Sequence, residues 1–283
     1  MPAVKVVTDS AADLSDDVIA ELDIAVVPLS IRFGSEEFVD RVTLSPQQFY
    51  EKMASTPTLP ETAAPSPGAF EKVFRDALDA GAPGVVCINL SGALSATIQS
   101  AQNAARAITE VDPGAAPIRI VDSRSVTGGL GSQVVAAARA ARDGRSADDI
   151  AALVEDMVGR TRVFGALDTL DNLKKGGRIG GAQALLGSLL SIKPLIEVRD
   201  GVVHEAGKPR TRSKAIRQLV DKLRESGAVE NVNVLHGLAP DVDELLDLVA
   251  EVVPRDQITV GIIGATIGTH GGPRVAGITW QVA

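Results

Sequence analysis

Residues 85–108, VVCINLSGALSATIQSAQNAARAI, constrain the fold more than any other stretch. An apolar, β-prone run (Val85–Leu90) breaks at Ser91-Gly92 into a turn of small and hydroxyl-bearing residues. A helix is predicted from Ser95, with Ile98, Ala101, Ala105 and Ile108 at helical spacing. A strand that feeds directly into a helix is half of a parallel crossover unit, and such units place helices over the faces of a sheet. The start of such a helix offers free N–H groups and the positive end of the helix dipole, with Ser95 as the predicted N-cap. No general base or metal ligand accompanies these serines, so the turn reads as a place that holds an anion without attacking it.

The same rhythm fills the first half of the chain. Strands are predicted at 4–8, 25–33, 84–90 and 118–121. Helices are predicted at 13–22, 45–53, 68–80, 95–109 and 131–143, with a polar turn at 34–40 and a Pro/Thr-rich loop at 56–67. Three strands end alike, in Asp9-Ser10, Ser91-Gly92 and Asp122-Ser123. In a parallel sheet these turns share one edge, beyond the carboxyl ends of the strands, where open α/β folds bind ligands. Each turn taken alone is better explained by Asp and Ser capping the next helix, an explanation that three such turns on one edge weaken.

An acidic helix at 146–159 closes this half, and a strand at 162–167 opens a second unit. There the pattern predicts a strongly apolar helix at 182–190 and a hairpin of 193–198 with 201–204 around Asp200-Gly201. Helices at 213–225 and 240–252 and strands at 231–236, 257–263 and 275–282 follow. The expected architecture is an N-terminal three-layer α/β/α domain with a parallel sheet (1–160) and a C-terminal two-layer α/β domain with a mixed sheet (161–283).

Of the residues, 45% are hydrophobic but only 3% aromatic, so the interior is aliphatic, as is any pocket within it. The net charge of −8 argues against nucleic acid or an anionic membrane surface as partner. Cys87, the one cysteine, falls in an apolar strand and excludes a disulfide framework or zinc motif. With no leader and no apolar run of membrane-spanning length, a soluble cytoplasmic protein is expected. Charge is segregated: residues 174–217 carry +7, leaving −15 on the rest. These cations sit in a glycine-broken loop (Lys174 to Gly181) and before a helix (Lys208 to Arg212), without aromatic residues for base stacking. An anionic ligand or an acidic partner protein therefore fits better than RNA.

Catalytic motifs fail on inspection. Gly201 to Lys208 lacks the spacing of a phosphate-binding loop and has Pro209 where a magnesium-binding hydroxyl belongs. Ser95 lacks the flanking glycines of a nucleophile elbow. His270 lies in a glycine-rich run, 264–273, where an imidazole can bind an oxyanion or act as a nucleophile.

Taken in order, Val7-Thr8-Asp9-Ser10, Val27-Pro28-Leu29, Thr62-Ala63-Ala64-Pro65-Ser66-Pro67-Gly68, Leu94-Ser95-Ala96-Thr97, Val121-Asp122-Ser123, Arg178, Arg210-Thr211 and Ile267-Gly268-Thr269-His270-Gly271-Gly272-Pro273 resemble the DegV family over nearly the whole chain. The resemblance implies a long-chain fatty acid held between two domains, its acyl chain in an apolar tunnel and its carboxylate at the mouth. It implies Thr62, Ser95 and His270 as carboxylate-binding residues, with Asp9, Ser10, Ser91, Gly92, Ser123 and Gly271 in the head-group vicinity. Arg178 and Arg210 match positions that dock a partner kinase, which phosphorylates the bound acid with ATP. The chain itself is then a non-catalytic carrier without metal or cofactor. Two departures stand out: the family commonly has Thr-Ser-Gln-Pro-Ser at 62–66 and Ser-Gly-Thr-Tyr at 95–98. Two other readings stay open, a dihydroxyacetone-kinase-like enzyme using His270 covalently on a small carbonyl substrate and a lipid-sensing regulator without a kinase.

Overall fold

The computed structural model describes residues 2–187 and 192–283. Strand β1 (Lys5–Asp9) leads through a 3₁₀ turn into α1 (Asp16–Glu21), followed by β2 (Ala25–Val27), β3 (Ser30–Phe33), β4 (Glu36–Val39), α2 (Pro46–Ser55) and β5 (Glu61–Ala63). Then come α3 (Pro67–Asp79), β6 (Val85–Asn89), α4 (Thr97–Val111), β7 (Ile118–Asp122), α5 (Thr127–Arg142) and α6 (Ala147–Arg160). The remainder comprises β8 (Thr161–Ala166), α7 (Asp171–Lys175), β9 (Leu195–Arg199), β10 (Val202–Gly207), α8 (Arg212–Glu225) and β11 (Val229–His236). It ends in α9 (Val242–Ala250), β12 (Ile258–Ile262), α10 (Ala265–Gly271) and β13 (Ala276–Val282).

Strands β2-β1-β6-β7 form an all-parallel sheet. Its central strands are buried on both faces, which is why consecutive apolar residues, Val6-Val7 in β1 and Val85 to Ile88 in β6, replace an alternating pattern. Val7, Val85 and Cys87 pack with Phe70, Phe74 and Ile108 from α3 and α4. On the opposite face Val6, Val86 and Ile88 pack with Leu130, Ile150 and Val154 from α5 and α6. This is the three-layer α/β/α arrangement expected from the sequence.

The second sheet has six strands in the order β10-β9-β8-β13-β11-β12, all antiparallel neighbours except β11 and β12. Alternation divides its faces. Phe164, Ile278 and Trp280 pack against Ile216, Leu219 and Leu246 of α8 and α9, with the Phe164 and Trp280 rings stacked at 5.3 Å. Val163, Val198 and Leu235 join the core cluster of the first sheet instead. The two sheets therefore meet across this face.

Several elements differ from the sequence expectation. The strand predicted over 25–33 is two strands, because the corner at Pro28-Leu29 turns β3 out of the parallel sheet. There it forms an antiparallel β4-β3-β5 sheet, drawing strands from the predicted turn at 34–40 and the predicted loop at 56–67. Phe33, Phe49 and Tyr50 give that unit its own small core. The predicted helix at 13–22 begins only at Asp16, since Ser15 is its N-cap and Asp13 adopts a left-handed conformation. The glycine-rich run at 264–273 contains helix α10 rather than an open loop. The predicted α-helix at 182–190 is replaced over Gly180–Gly187 by a 3₁₀ stretch, entered through Gly180 at φ +48°. Residues 188–190 of that prediction lie outside the described residues. No helix among the described residues is long and apolar enough to cross a membrane.

Candidate ligand-binding site

A narrow cavity runs between the two sheets. Together with its open mouth it has a volume of about 890 Å³. Its walls are aliphatic, with Leu90, Leu94, Val126, Leu167, Leu173 and Ile267 among them. Polar groups cluster at one end, where Thr62, Arg178 and His270 border both this cavity and a shallower cleft towards the surface. Ser95 and Gly271 also line the cavity.

Each mouth residue arrives from a different element. Thr62 is the centre of β5, paired with Ile31 of β3. His270 lies in the last turn of α10, whose end is held by Asn172 Nδ2 donating to the Thr269 carbonyl at 2.9 Å. The Thr62 Oγ1 is 3.2 Å from His270 Nε2. The other ring nitrogen, Nδ1, is buried without a hydrogen-bond partner, and the Gly176 backbone packs so closely on it that a Cβ there would collide with the ring. Burial, followed by the charge of Arg178, pushes the His270 pKa down to about 4, so the imidazole is neutral at ordinary pH. Arg178 is half-buried, donating from Nε to the Leu94 carbonyl at 3.0 Å and from Nη1 to the Gly176 carbonyl at 2.5 Å. Arg210 is exposed just before α8 and does not line the cavity.

Ser95 is not the N-cap of α4. The turn closes on itself through N–H groups of Leu94 and Ser95 donating to the Ser91 carbonyl, which delays the helix until Thr97 and leaves Ala96 as N-cap. Ser95 Oγ accepts from the Thr97 N–H at 3.3 Å and lies 2.9 Å from Thr97 Oγ1.

The remaining head-group candidates do not line the cavity. Asp9 accepts from the N–H groups of Leu90 and Ala11 and from Asn89 Nδ2. Ser91 Oγ donates to the Gly201 carbonyl at 2.6 Å, Gly92 N–H donates to Asp122, and Ser123 Oγ bonds within its own turn. Ser10 Oγ donates to Asp40 and accepts from the Leu29 N–H. These groups shape the turns from which the mouth is built.

Behind the cavity wall lies a buried carboxylate network that sequence reading missed. Asp40 accepts from Thr266 Oγ1 at 2.6 Å and Asp13 from Thr127 Oγ1 at 2.6 Å. Asp13 also accepts from the Gly264 N–H at 2.8 Å, tying α1's approach to the start of α10. Burial raises the pKa of Asp13 to about 7 and of Asp9 to about 6, and raises that of Asp40. Thr127 and Thr266 line the cavity, but their hydroxyl protons are committed to these carboxylates. Their sequence signal was slight, since an isolated threonine at a helix start suggests only capping.

An α/β fold with an aliphatic slot ending in a small polar cluster has the shape and polarity that suit an amphipathic molecule. The chain belongs to the DegV family: residues 3–283 match the family model described as uncharacterised protein, DegV family. It is 34% identical over 279 residues to the DegV domain-containing protein SCO2569 of Streptomyces coelicolor, covering 97% of each chain. A DegV domain-containing protein of Deinococcus radiodurans is 34% identical over 290 residues, covering 99% of this chain and 98% of the relative. Among solved structures, a fatty-acid-binding DegV family protein from Thermus thermophilus superimposes with a TM-score of 0.90 at 31% identity, covering 99% of this chain and all of that one. A stearic-acid-binding protein from Eubacterium ventriosum gives a TM-score of 0.90 at 28% identity, with 99% and 98% coverage.

Proposed function

We propose that this chain binds a long-chain fatty acid in the cavity between its sheets and presents the carboxylate to an ATP-dependent kinase. The observation that carries this reading is the aliphatic slot ending at Thr62, His270 and Arg178. Residues 1–160 and 161–283 act as two domains with the acid between them.

The division of labour follows from magnitudes. Each buried methylene contributes roughly 0.8 kcal/mol, so a long chain gains on the order of 10 kcal/mol before entropic costs. A hydrogen bond to a charged group adds about 1.5–3 kcal/mol. The slot thus supplies affinity, and the mouth fixes where the carboxylate points. That carboxylate needs partners once it leaves water. With its proton on Nε2, His270 donates to Thr62 Oγ1 and leaves the Thr62 hydroxyl free to donate outward. Ser95 offers a second hydroxyl, and Arg178 supplies positive charge.

His270 serves as a neutral positioning group in this reading. One ring nitrogen meets Thr62 and the other is packed against Gly176, so neither points freely into the cavity as a nucleophile would. Exposed Arg210 belongs to the surface offered to the kinase, whereas Arg178 works at the mouth.

The test is mass spectrometry of the purified protein, first native and then denatured. A non-covalent fatty acid released on denaturation supports the carrier reading, and a covalent adduct on His270 overturns it. Addition of an ATP-dependent kinase then tests presentation: Ser95→Ala should retain lipid but lose phosphorylation, and full turnover of that variant removes Ser95 from the site.

A further inference from the structure

Gly165 is the penultimate residue of β8, an inner strand paired on both sides. Its cross-strand partner in β13 is Gly277, and this glycine pair is flanked by Ile196 on β9 and Leu235 on β11. The result is a two-residue gap in the side chains that otherwise cover this face.

The two glycines have different reasons for being there. A Cβ at Gly277 would stand 2.8 Å from the Phe164 carbonyl oxygen, so the backbone itself excludes a side chain. At Gly165 the nearest atom to a Cβ would be Ile196 Cγ1 at 3.6 Å, an ordinary contact. Nor is Gly165 among the glycines with positive φ. Glycine in a strand interior weakens the strand, so neither packing nor backbone conformation accounts for this one. Gly165 lines the cavity and, despite its inner position in the sheet, is only half-buried. The space its missing side chain leaves is cavity space.

We propose that Gly165 is a specificity-determining position, its bare backbone forming the floor over which the middle of the acyl chain passes. This rests on the fatty-acid reading above. The path follows the sheet. From His270 the mouth continues to Gly271, which packs on Val275, and two residues further along β13 lies Gly277 opposite Gly165. Another two residues on, Thr279 pairs with Val163, and Gly128 at the start of α5 is wedged against Thr279 and Leu235. Each such step is about 7 Å along a strand. A side chain at 165 therefore obstructs a chain that reaches past this row and spares one that ends before it.

The experiment compares palmitate and octanoate binding to delipidated wild type, Gly165→Ala, Gly165→Val and the double variant Gly165→Val/Ile196→Ala. The readout is the ratio of the two affinities in each protein. Gly165→Val is expected to weaken palmitate about tenfold, the loss of roughly two buried methylenes, with octanoate little changed. Gly165→Ala, which the surrounding atoms admit, shifts the ratio less and in the same direction. Trimming Ile196 restores part of the palmitate affinity by giving the valine somewhere to turn. An unchanged ratio in both single variants, or equal loss of both acids, overturns the inference. Wild type that binds neither acid instead defeats the fatty-acid reading itself.

Discussion

The Thr62 Oγ1 lies 3.2 Å from His270 Nε2, joining a three-stranded antiparallel sheet to the last turn of a helix 208 residues later in the chain. The contact borders the mouth of the cavity and fixes the two groups relative to each other. Without His270 the threonine hydroxyl has no fixed orientation, and without Thr62 the imidazole is left with both nitrogens unpartnered. Thr62→Val keeps the shape of the side chain and removes the hydroxyl. Palmitate affinity should fall about tenfold, the scale of one hydrogen bond to a charged group, with the melting temperature little changed. His270→Ala should cost a similar factor, and the double variant should cost less than the product because the two groups act as one. Strict additivity would separate them.

Gly176 offers a purely steric test of the same contact. Its φ is −71°, an ordinary helical value, so alanine imposes no backbone strain. The added methyl would nevertheless meet His270 Nδ1 and Cε1, forcing the ring away from Gly176. Gly176→Ala should weaken palmitate binding about as much as loss of the Thr62 hydroxyl while leaving secondary structure by circular dichroism intact. Unaltered binding would show that the ring position is not what orients the ligand.

Two parts of this candidate site could be read from the chain because they are local. Ser95 follows a strand in a turn, His270 stands in a glycine-rich run, and both keep those neighbourhoods in the fold. The parallel sheet was equally legible, since β6 is a nearly unbroken apolar run and β1 and β7 each carry a short Val/Ile stretch before a helical segment. The antiparallel sheet that carries Thr62 was not. Its strands are three or four residues long, β4 is half acidic, and the corner at Pro28-Leu29 leaves no break in hydrophobicity between β2 and β3. Arg178 shows the other limit. Its cationic loop suggested a docking surface, but only the fold brings its guanidinium back to the Leu94 carbonyl and beside His270.

That position makes Arg178 electrostatically measurable. Burial holds the His270 pKa down to about 4, and the neighbouring guanidinium adds to the effect. Arg178→Gln removes the charge but leaves hydrogen-bond donors for the Leu94 and Gly176 carbonyls. The His270 pKa, followed by NMR titration of the imidazole, should rise yet remain below its ordinary value of 6.5, because burial persists. Palmitate affinity should fall by about three- to tenfold from the lost charge. A pKa that does not move would place the guanidinium elsewhere in solution.

Asp13 ties stability to pH through the scaffold of the mouth. Its pKa is raised by burial from 3.8 to about 7, so between those values the folded protein holds a proton that the unfolded chain releases. Its stabilising contribution is complete below the unfolded value and is lost as pH rises through the folded one. Asp9, with a folded pKa of about 6, and Asp40, also raised, act in the same sense. His270 acts oppositely: its depressed pKa makes acidification from 6.5 towards 4 destabilising, which offsets the acids over that range. Above the histidine range the offset ends and Asp13 is left titrating. Wild type should therefore lose on the order of 1 kcal/mol of unfolding free energy between about pH 6 and pH 8. Asp13→Asn cannot titrate, and its amide can still accept from the Gly264 N–H through Oδ1 while Nδ2 donates to a reoriented Thr127 hydroxyl. Urea unfolding of the variant should be nearly flat across that window. A slope equal to that of wild type would assign the titration to another group.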